Sequence, residues 1–485
     1  MTKKGSLFFL IKSLTGSERR YFRMQSERSK ADTRYLRLFD FMESQAEADD
    51  DAVKEHFKGE QFVNQLHVTK IYLTDLILRS LRNYHANSSV NSKLLDILRD
   101  VEILFGKELY DQCHYKLKTA EKLACTFEKE GLLLEVLAWK RKLLLAQSKA
   151  ETKEVAAISE QEKASLEKLT NLNSYWDHTF DVFTNSGDRD FPKKLKSKNA
   201  ATLQAKTLHH HVLYSWYFMN NNAARAEKEI ATLIDYMEQH PTRIEDDPGP
   251  YVTAMSNKIA LLLRQQRWPE IEQMIRIMRE VPVRYKLVNE NKFTLRLWLR
   301  IYNLELEIYR DTRQLTKAMI LTKEIEAYLE KHSAVIPDNY RIMLWYQVAN
   351  IWFLKQDYAA CLHWVNLILN YNFGDTRNDL QCFARILNLL VHFELDNIIV
   401  LRYSVDSTRR FFRKKKADSP EVQAIIGMFS RLSVAPPQKY KEVVTASYDE
   451  LFHDPSPGTE HIQDYLDLRS WMRRKFRKQI CADSC

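Results

Sequence analysis

The chain has 485 residues, 45% of them hydrophobic and 28% charged, with a formal net charge of +9 and only 10 glycines and 12 prolines. That length exceeds one compact core and that apolar fraction is too high for a disordered chain, which leaves several domains or a stack of repeats. Scarce glycine excludes most phosphate-cradling loops and tight hairpins, so the composition favours long helices.

The six cysteines, Cys113, Cys125, Cys361, Cys382, Cys481 and Cys485, stand at irregular spacings, which points to reduced thiols rather than a disulfide or zinc framework. Cys481 and Cys485 read as two free thiols, not a metal or redox pair. The apolar run Leu7 to Ile11 is too short for the core of an export signal. No stretch approaches the roughly 18 apolar residues that span a bilayer. The expectation is a cytoplasmic protein with no cofactor, no bound metal and no membrane contact.

In chain order, residues 1–88 read as an N-terminal helical subdomain, with helices over Leu7 to Leu14, Ser17 to Met24, Thr33 to Ser44, Asp51 to Phe57 and Gln61 to His85. Ser17 followed by Glu18 looks like a helix start, because a serine oxygen accepts a free backbone N–H and an early carboxylate suits the helix dipole. Asn87 to Asn91 reads as a linker. From residue 91 to 416 apolar residues recur three and four apart, the mark of amphipathic helices. Around Trp345 the chain reads WYQVANIWFLKQDYAACLHWVNLIL. Trp345, Val348, Ala349 and Trp352 form one face, Gln356-Asp357-Tyr358 a corner, and Cys361, Val365 and Ile368 the returning helix.

The same offsets fit Ile97, Val101, Leu104, Cys113, Leu117 and Ala120; Leu213, Tyr214, Tyr217, Ala226, Ile230 and Leu233; and Tyr302, Leu306, Tyr309, Ala318, Thr322 and Ile325. A further register, Met255, Ile259, Leu262, Ile271, Ile275 and Met278, places isoleucine where a small residue is expected. The steps between Ala226, Ile271, Ala318 and Cys361 are 45, 47 and 43 residues. Pro241, Pro248, Pro250, Pro282 and Pro337 are expected between units. Gly131 to Gln147 and Glu151 to Asn171 suggest one more long pair, and Asn185 to Asn199 a polar, basic break. Residues 417–485 read as a C-terminal helical capping region closed by an amphipathic helix from about Glu460 to Ile480.

This pattern resembles the tetratricopeptide repeat, in degenerate form and with a period longer than the usual roughly 34 residues. The resemblance implies an all-α fold, a right-handed superhelical solenoid of antiparallel helix pairs, and a protein-binding role.

Charge is distributed unevenly. Lys3 to Arg23, Lys193 to Lys198, Asp406 to Lys416 and Arg469 to Lys478 carry +5, +4, +5 and +6, so the remainder of the chain carries −11. Arg409, Arg410, Arg413, Lys414 and Lys416, with Arg473, Arg474 and Arg477, are therefore the candidate contacts to an acidic partner or to nucleic acid. Helical spacing places Arg409, Arg413 and Lys416 on one stripe. A solvated helix end, where cations complement the dipole, is the plainer reading of the same residues.

The triplet His209-His210-His211 does not make a metal site, since consecutive helical residues point about 100° apart and diverge. Ser165 and Lys168 have the Ser-x-x-Lys spacing of some acylating enzymes, without the partner motifs. Arg19, Arg20 and Arg23, ahead of Arg34 to Phe41 and a long helix with His67, Lys70, Arg79 and Arg82, leave open a degenerate helix-turn-helix. The sequence thus points first to a non-enzymatic adaptor or scaffold that binds a protein partner. The alternative is a nucleic-acid- or ribosome-associated regulatory factor that uses its basic terminal helices.

Overall fold

The computed structural model describes residues 5–28, 33–45, 47–87, 89–147, 152–184, 188, 190–196, 199–287, 292–333, 335–415, 417, 419–453, 462 and 465–475. Among them are 24 α-helices, two short 3-10 turns and no strand. No helix among the described residues is long and apolar enough to cross a membrane. The chain divides into two compact units, residues 1–294 and 295–485.

The first unit opens with α1 (Ser6–Lys12), α2 (Gly16–Arg28), α3 (Thr33–Ser44), α4 (Asp50–His56) and α5 (Leu66–Tyr84). These helices enclose a core of their own, in which Ile11, Leu38, Phe39, Val53, Leu73 and Ile77 are fully buried. The expected start of α2 at Ser17 shifts, because the cap is Thr15. Its hydroxyl accepts from Glu18 N (3.2 Å) while the Glu18 carboxylate accepts from Thr15 N (2.7 Å). This reciprocal pair satisfies two free donors at once, which a serine one residue inside the helix cannot do. Residues Gln61–Gln65, expected in the long helix, instead form a 3-10 turn.

There follow α6 (Val90–Gly106), α7 (Tyr110–Thr126), α8 (Glu130–Ala146), α9 (Thr152–Thr184) and α10 (Phe191–Lys196). Then come α11 (Leu203–Met219), α12 (Ala223–Glu238), α13 (Pro241–Asp246), α14 (Gly249–Arg264) and α15 (Trp268–Arg284). Helix α9 runs 33 residues, past the expected end at Asn171. Its buried stripe, Ile158, Ser165, Tyr175 and Val182, continues beyond that point, and a continuing apolar face is what holds a helix to its neighbours. Pro282, expected between units, lies inside the last turn of α15. There its missing N–H removes one helical bond only, and its carbonyl accepts from Leu287 N (2.8 Å).

The second unit takes up α16 (Lys292–Asp311) from Leu295 onward, then α17 (Leu315–Lys331), α18 (Asp338–Leu354), α19 (Tyr358–Asn370) and α20 (Asn378–Glu394). It continues with α21 (Ile398–Lys415), α22 (Pro420–Leu432), α23 (Tyr440–Phe452) and α24 (Leu468–Lys475). The final helix does not begin near Glu460. Asp467 is non-helical and accepts from Ser470 N (3.1 Å), so it caps α24 at Leu468. Ile462, Leu466, Leu468, Trp471 and Met472 are buried in the same core as α18 to α23. Trp471 lies 6.0 Å from Phe393 and 6.1 Å from Phe429, and its Nε1 donates to Glu394 (2.6 Å).

Within each unit consecutive helices pack as pairs, consistent with a helical repeat. The small or substituting residue of every register is fully buried: Cys113, Ala226, Ile271, Ala318 and Cys361 all have 0% exposure. Ile271 is thus accommodated in spite of its bulk. Five residues before each of these stands a non-glycine residue with positive φ: Glu108 (62°), Asn221 (55°), Gln266 (54°), Arg313 (56°) and Gln356 (64°). Each of the five corners closes with the same long bond, Leu109 N to Leu104 O, Asn222 N to Tyr217 O, Arg267 N to Leu262 O, Gln314 N to Tyr309 O and Asp357 N to Trp352 O, at 2.8–3.1 Å. This is the Schellman closure, which satisfies the last carbonyls of the first helix. It recurs at Glu128 and Asp396.

A candidate basic docking site in the second unit

Helix α20 is apolar on nearly every side, with Leu380, Phe383, Ala384, Ile386, Leu387, Leu389 and Leu390 all buried. Arg385 sits in that run, half-buried. Its guanidinium lies 4.0 Å over the ring of Phe411 in α21. Among the described residues it has no carboxylate partner, and its Nε is sealed from solvent with no hydrogen-bond partner. Burial pushes its pKa below the ordinary arginine value. A half-buried cation on an aromatic face, with donors unspent, is a group prepared for an anion.

Around Arg385 the loop from α19 to α20 and the end of α21 enclose a cavity of about 400 Å³, whose wall includes Tyr371, Asn372, Gln381, Phe411, Lys414 and Lys415. The loop is held in place by Gly374, whose φ of 56° suits glycine, and by Gln381 Nε2 donating to the carbonyl of Thr376 (2.7 Å). Lys415 donates to Gly374 O (3.1 Å) and to Asp375 Oδ1 (2.7 Å). That contact holds the Asp375 carboxyl below its usual range. Asp375 is the one acidic group on the wall, against Arg385, Lys414 and Lys415, so the cavity is net positive. A second cavity of about 280 Å³ shares Tyr371 and adds Trp345, His363 and Asn366. Arg341 packs against the Trp345 and Tyr371 rings at 5.7 and 5.4 Å.

The basic residues expected from the sequence separate into different roles. Lys414 is exposed and lines the cavity. Arg409 pairs with Asp406 (3.5 Å), one turn earlier on its own helix. Arg410 and Arg413 are exposed. In α24, Arg473 donates to the Tyr448 hydroxyl (2.8 Å) and lies 5.6 Å over its ring. Arg474 is exposed. Lys416 and Arg477 lie outside the described residues, as do Cys481 and Cys485. Arg385 lies outside the basic clusters of the sequence, and Lys415, inside the Asp406 to Lys416 cluster, is not among the candidate contacts. The signal for Arg385 is a single arginine inside the apolar run FARILNLLVHF, where a charge must be either paired or used.

Other sequence features are tied into structure. His210 contacts Glu229 (2.9 Å), and His211 meets Asn257 (3.3 Å). Burial, with His210 beside it, pushes the His211 pKa down to about 4. Tyr214 donates to Asn257 O (2.6 Å). Arg19 pairs with Glu43 (2.9 Å), Arg23 with Asp40 (2.9 Å), and Lys70 with Asp50. Ser165 is buried, and Lys168 pairs with Glu130 (2.8 Å). Among the described residues no group of three His, Cys, Asp or Glu is placed to hold a metal ion. No family model, curated protein or solved structure matches the chain.

Proposed function

We propose that this chain is a non-enzymatic adaptor, a tetratricopeptide-like right-handed solenoid that docks an acidic segment of a protein partner. The observation that carries this reading is Arg385, half-buried over Phe411 and without an ion pair among the described residues, in a cavity it shares with Lys414 and Lys415. A carboxylate of the partner would meet the planar guanidinium through two parallel N–H donors, a geometry lysine does not offer. The adjoining Trp345 and Tyr371 surfaces favour a segment that also carries an apolar anchor. An acidic strand with one hydrophobic residue therefore fits better than a nucleic-acid backbone, which would ask for a row of cations rather than one half-buried arginine.

The test is fluorescence anisotropy of the full chain with two labelled probes, a 12-residue Asp/Glu-rich peptide containing one leucine and a single-stranded RNA of 12 nucleotides. The peptide is expected to bind, with affinity falling at least tenfold in Arg385→Gln and in Lys414→Glu. Tight RNA binding with a steep salt dependence, and no peptide binding, would replace this reading with the nucleic-acid one.

A further inference from the structure

The largest cavity of each unit is charged, and the charges answer different things. In the first unit a space of about 510 Å³ lies at the ends of α7, α12 and α13, the starts of α8, α11 and α14, and the middle of α9. Its lysines and arginine are all paired on the wall: Lys129 to Asp246 (2.9 Å), Arg243 to Glu128 (3.1 Å) and Lys168 to Glu130 (2.8 Å). Backbone donors complete the carboxylates, with Leu203 N on Glu128 (2.7 Å) and Val90 N on Asp246 (2.8 Å). That charge is spent on the fold.

The cavity around Arg385 keeps a surplus. Its wall carries three cations, Arg385, Lys414 and Lys415, and one carboxylate, Asp375. Asp375 is taken by Lys415 (2.7 Å), whose side chain is only 16% exposed. Arg385 and Lys414 remain, two positive charges that no carboxylate on the wall answers. The Arg385 Nε is sealed, which leaves the two terminal amino groups of its guanidinium as the donors for a guest.

A surplus of two charges is specific about that guest. A carboxylate brings one charge and two oxygens, and on Arg385 it would leave Lys414 unanswered. Each phosphodiester of a nucleic-acid backbone also carries a single charge. A phosphomonoester at the end of a side chain carries about 1.5 to 2 negative charges at neutral pH and three acceptor oxygens, enough for a guanidinium fork and an ammonium together. The space suits a whole side chain as well. Its volume of about 400 Å³ lies within the range of pockets that enclose small organic groups. Tyr371, Phe373 and Phe411 line it with aromatic surface, against which the carbon atoms below a phosphoryl group can pack.

We infer that docking at this site is controlled by phosphorylation of the partner: the acidic segment enters the cavity with a phosphorylated side chain, whose phosphoryl group is shared between Arg385 and Lys414. The inference rests on the acidic-segment reading proposed above and adds the chemical group that regulates it. Phosphorylation adds charge at the one place where the wall has cations to spare, so a phosphatase acting on the partner releases it.

The test is fluorescence anisotropy of the full chain with one labelled 12-residue acidic peptide containing a leucine, made with serine, glutamate, phosphoserine or phosphotyrosine at its centre. The better of the two phosphopeptides is expected to bind at least tenfold tighter than the glutamate peptide. In Lys414→Met that advantage is expected to shrink below threefold. Lys414 is exposed, so this variant tests charge and not folding, and an unchanged melting temperature shows it. Glutamate and phosphopeptides of equal affinity would overturn the inference and leave the acidic-segment reading standing. No binding of any peptide would overturn both. An advantage that persists in Lys414→Met would place the phosphoryl group elsewhere and overturn the inference. Free O-phosphoserine or AMP displacing the probe with a tighter affinity than the phosphopeptide itself would assign the cavity to a small phosphomonoester, and would equally overturn it.

Discussion

The cavity at the start of α8 and the cavity at the end of α21 both gather cations, and they treat them in opposite ways. In the first, Lys129, Lys168 and Arg243 each face a carboxylate within 3.1 Å. In the second, Arg385 faces an aromatic ring. The contrast separates charge that builds a wall from charge held for a partner. A buried or half-buried ion costs solvation free energy wherever it sits, and only a partner recovers it. In the first unit that partner is 38 to 117 residues away on the same chain. In the second unit Lys415 has Asp375 (2.7 Å), while Arg385 has no carboxylate among the described residues.

The sharpest way to break this comparison is to remove one cation from each cavity. Lys168→Met strands the Glu130 carboxylate, which is 5% exposed, and is expected to destabilise the first unit by about 2 kcal/mol, after allowing for the partial exposure of the lysine. Urea unfolding with hydrogen exchange read over α7 to α9 would register it. An unchanged midpoint would mean that the pair is not structural. His211 supplies an effect of similar size with a defined pH window. Its folded pKa is about 4 against an ordinary 6.5, so the unfolded chain takes up the proton first. The associated stability is complete above pH 6.5 and declines as pH falls towards 4, by about 3 kcal/mol. His211→Gln is expected to flatten that part of the pH–stability curve. An identical curve in the variant would locate the titration elsewhere.

Arg385→Met has the opposite expected sign to Lys168→Met. It keeps the packing on Phe411, removes an ion with no partner among the described residues, and is expected to raise stability by about 1 kcal/mol. A loss of stability would show that the arginine is held by the fold itself. The smallest effects belong to the corners. Gln356→Gly relieves a left-handed residue at φ 64° and is expected to gain about 0.5 kcal/mol, part of the left-handed penalty being offset by glycine's freedom when unfolded. Glu128→Gly relieves the same strain at φ 49° but gives up Arg243 and Leu203 N, so it is expected to lose stability. If both corners responded alike, the carboxylate of Glu128 would have no structural part in the first cavity.

The corners show how far the sequence could be read. Apolar spacing alone placed the helix pairs, because burial acts on residues three and four apart whatever the distant contacts. It located Cys113, Ala226, Ala318 and Cys361 at the tight crossings, and these are fully buried. It did not foresee that Glu108, Asn221, Gln266, Arg313 and Gln356 would take the left-handed role usually given to glycine, since that conformation is imposed by the Schellman bond and leaves no residue signature. The basic runs were visible as composition, yet composition could not tell Arg473, committed to Tyr448, from Lys414, which faces a cavity. Neither cavity was legible, for a related reason. Glu130, Lys168 and Arg243, or Arg385 and Lys415, are brought together by stacking of helix pairs, and no periodicity links them.

The most direct measurement takes Arg385→Met and the unsubstituted chain through urea unfolding and acidic-peptide titration in the same buffer. A docking cation predicts that the variant is more stable and binds the peptide at least tenfold more weakly. A variant that is less stable and binds the peptide equally well would make Arg385 a structural residue and contradict the assignment of this cavity as the partner site.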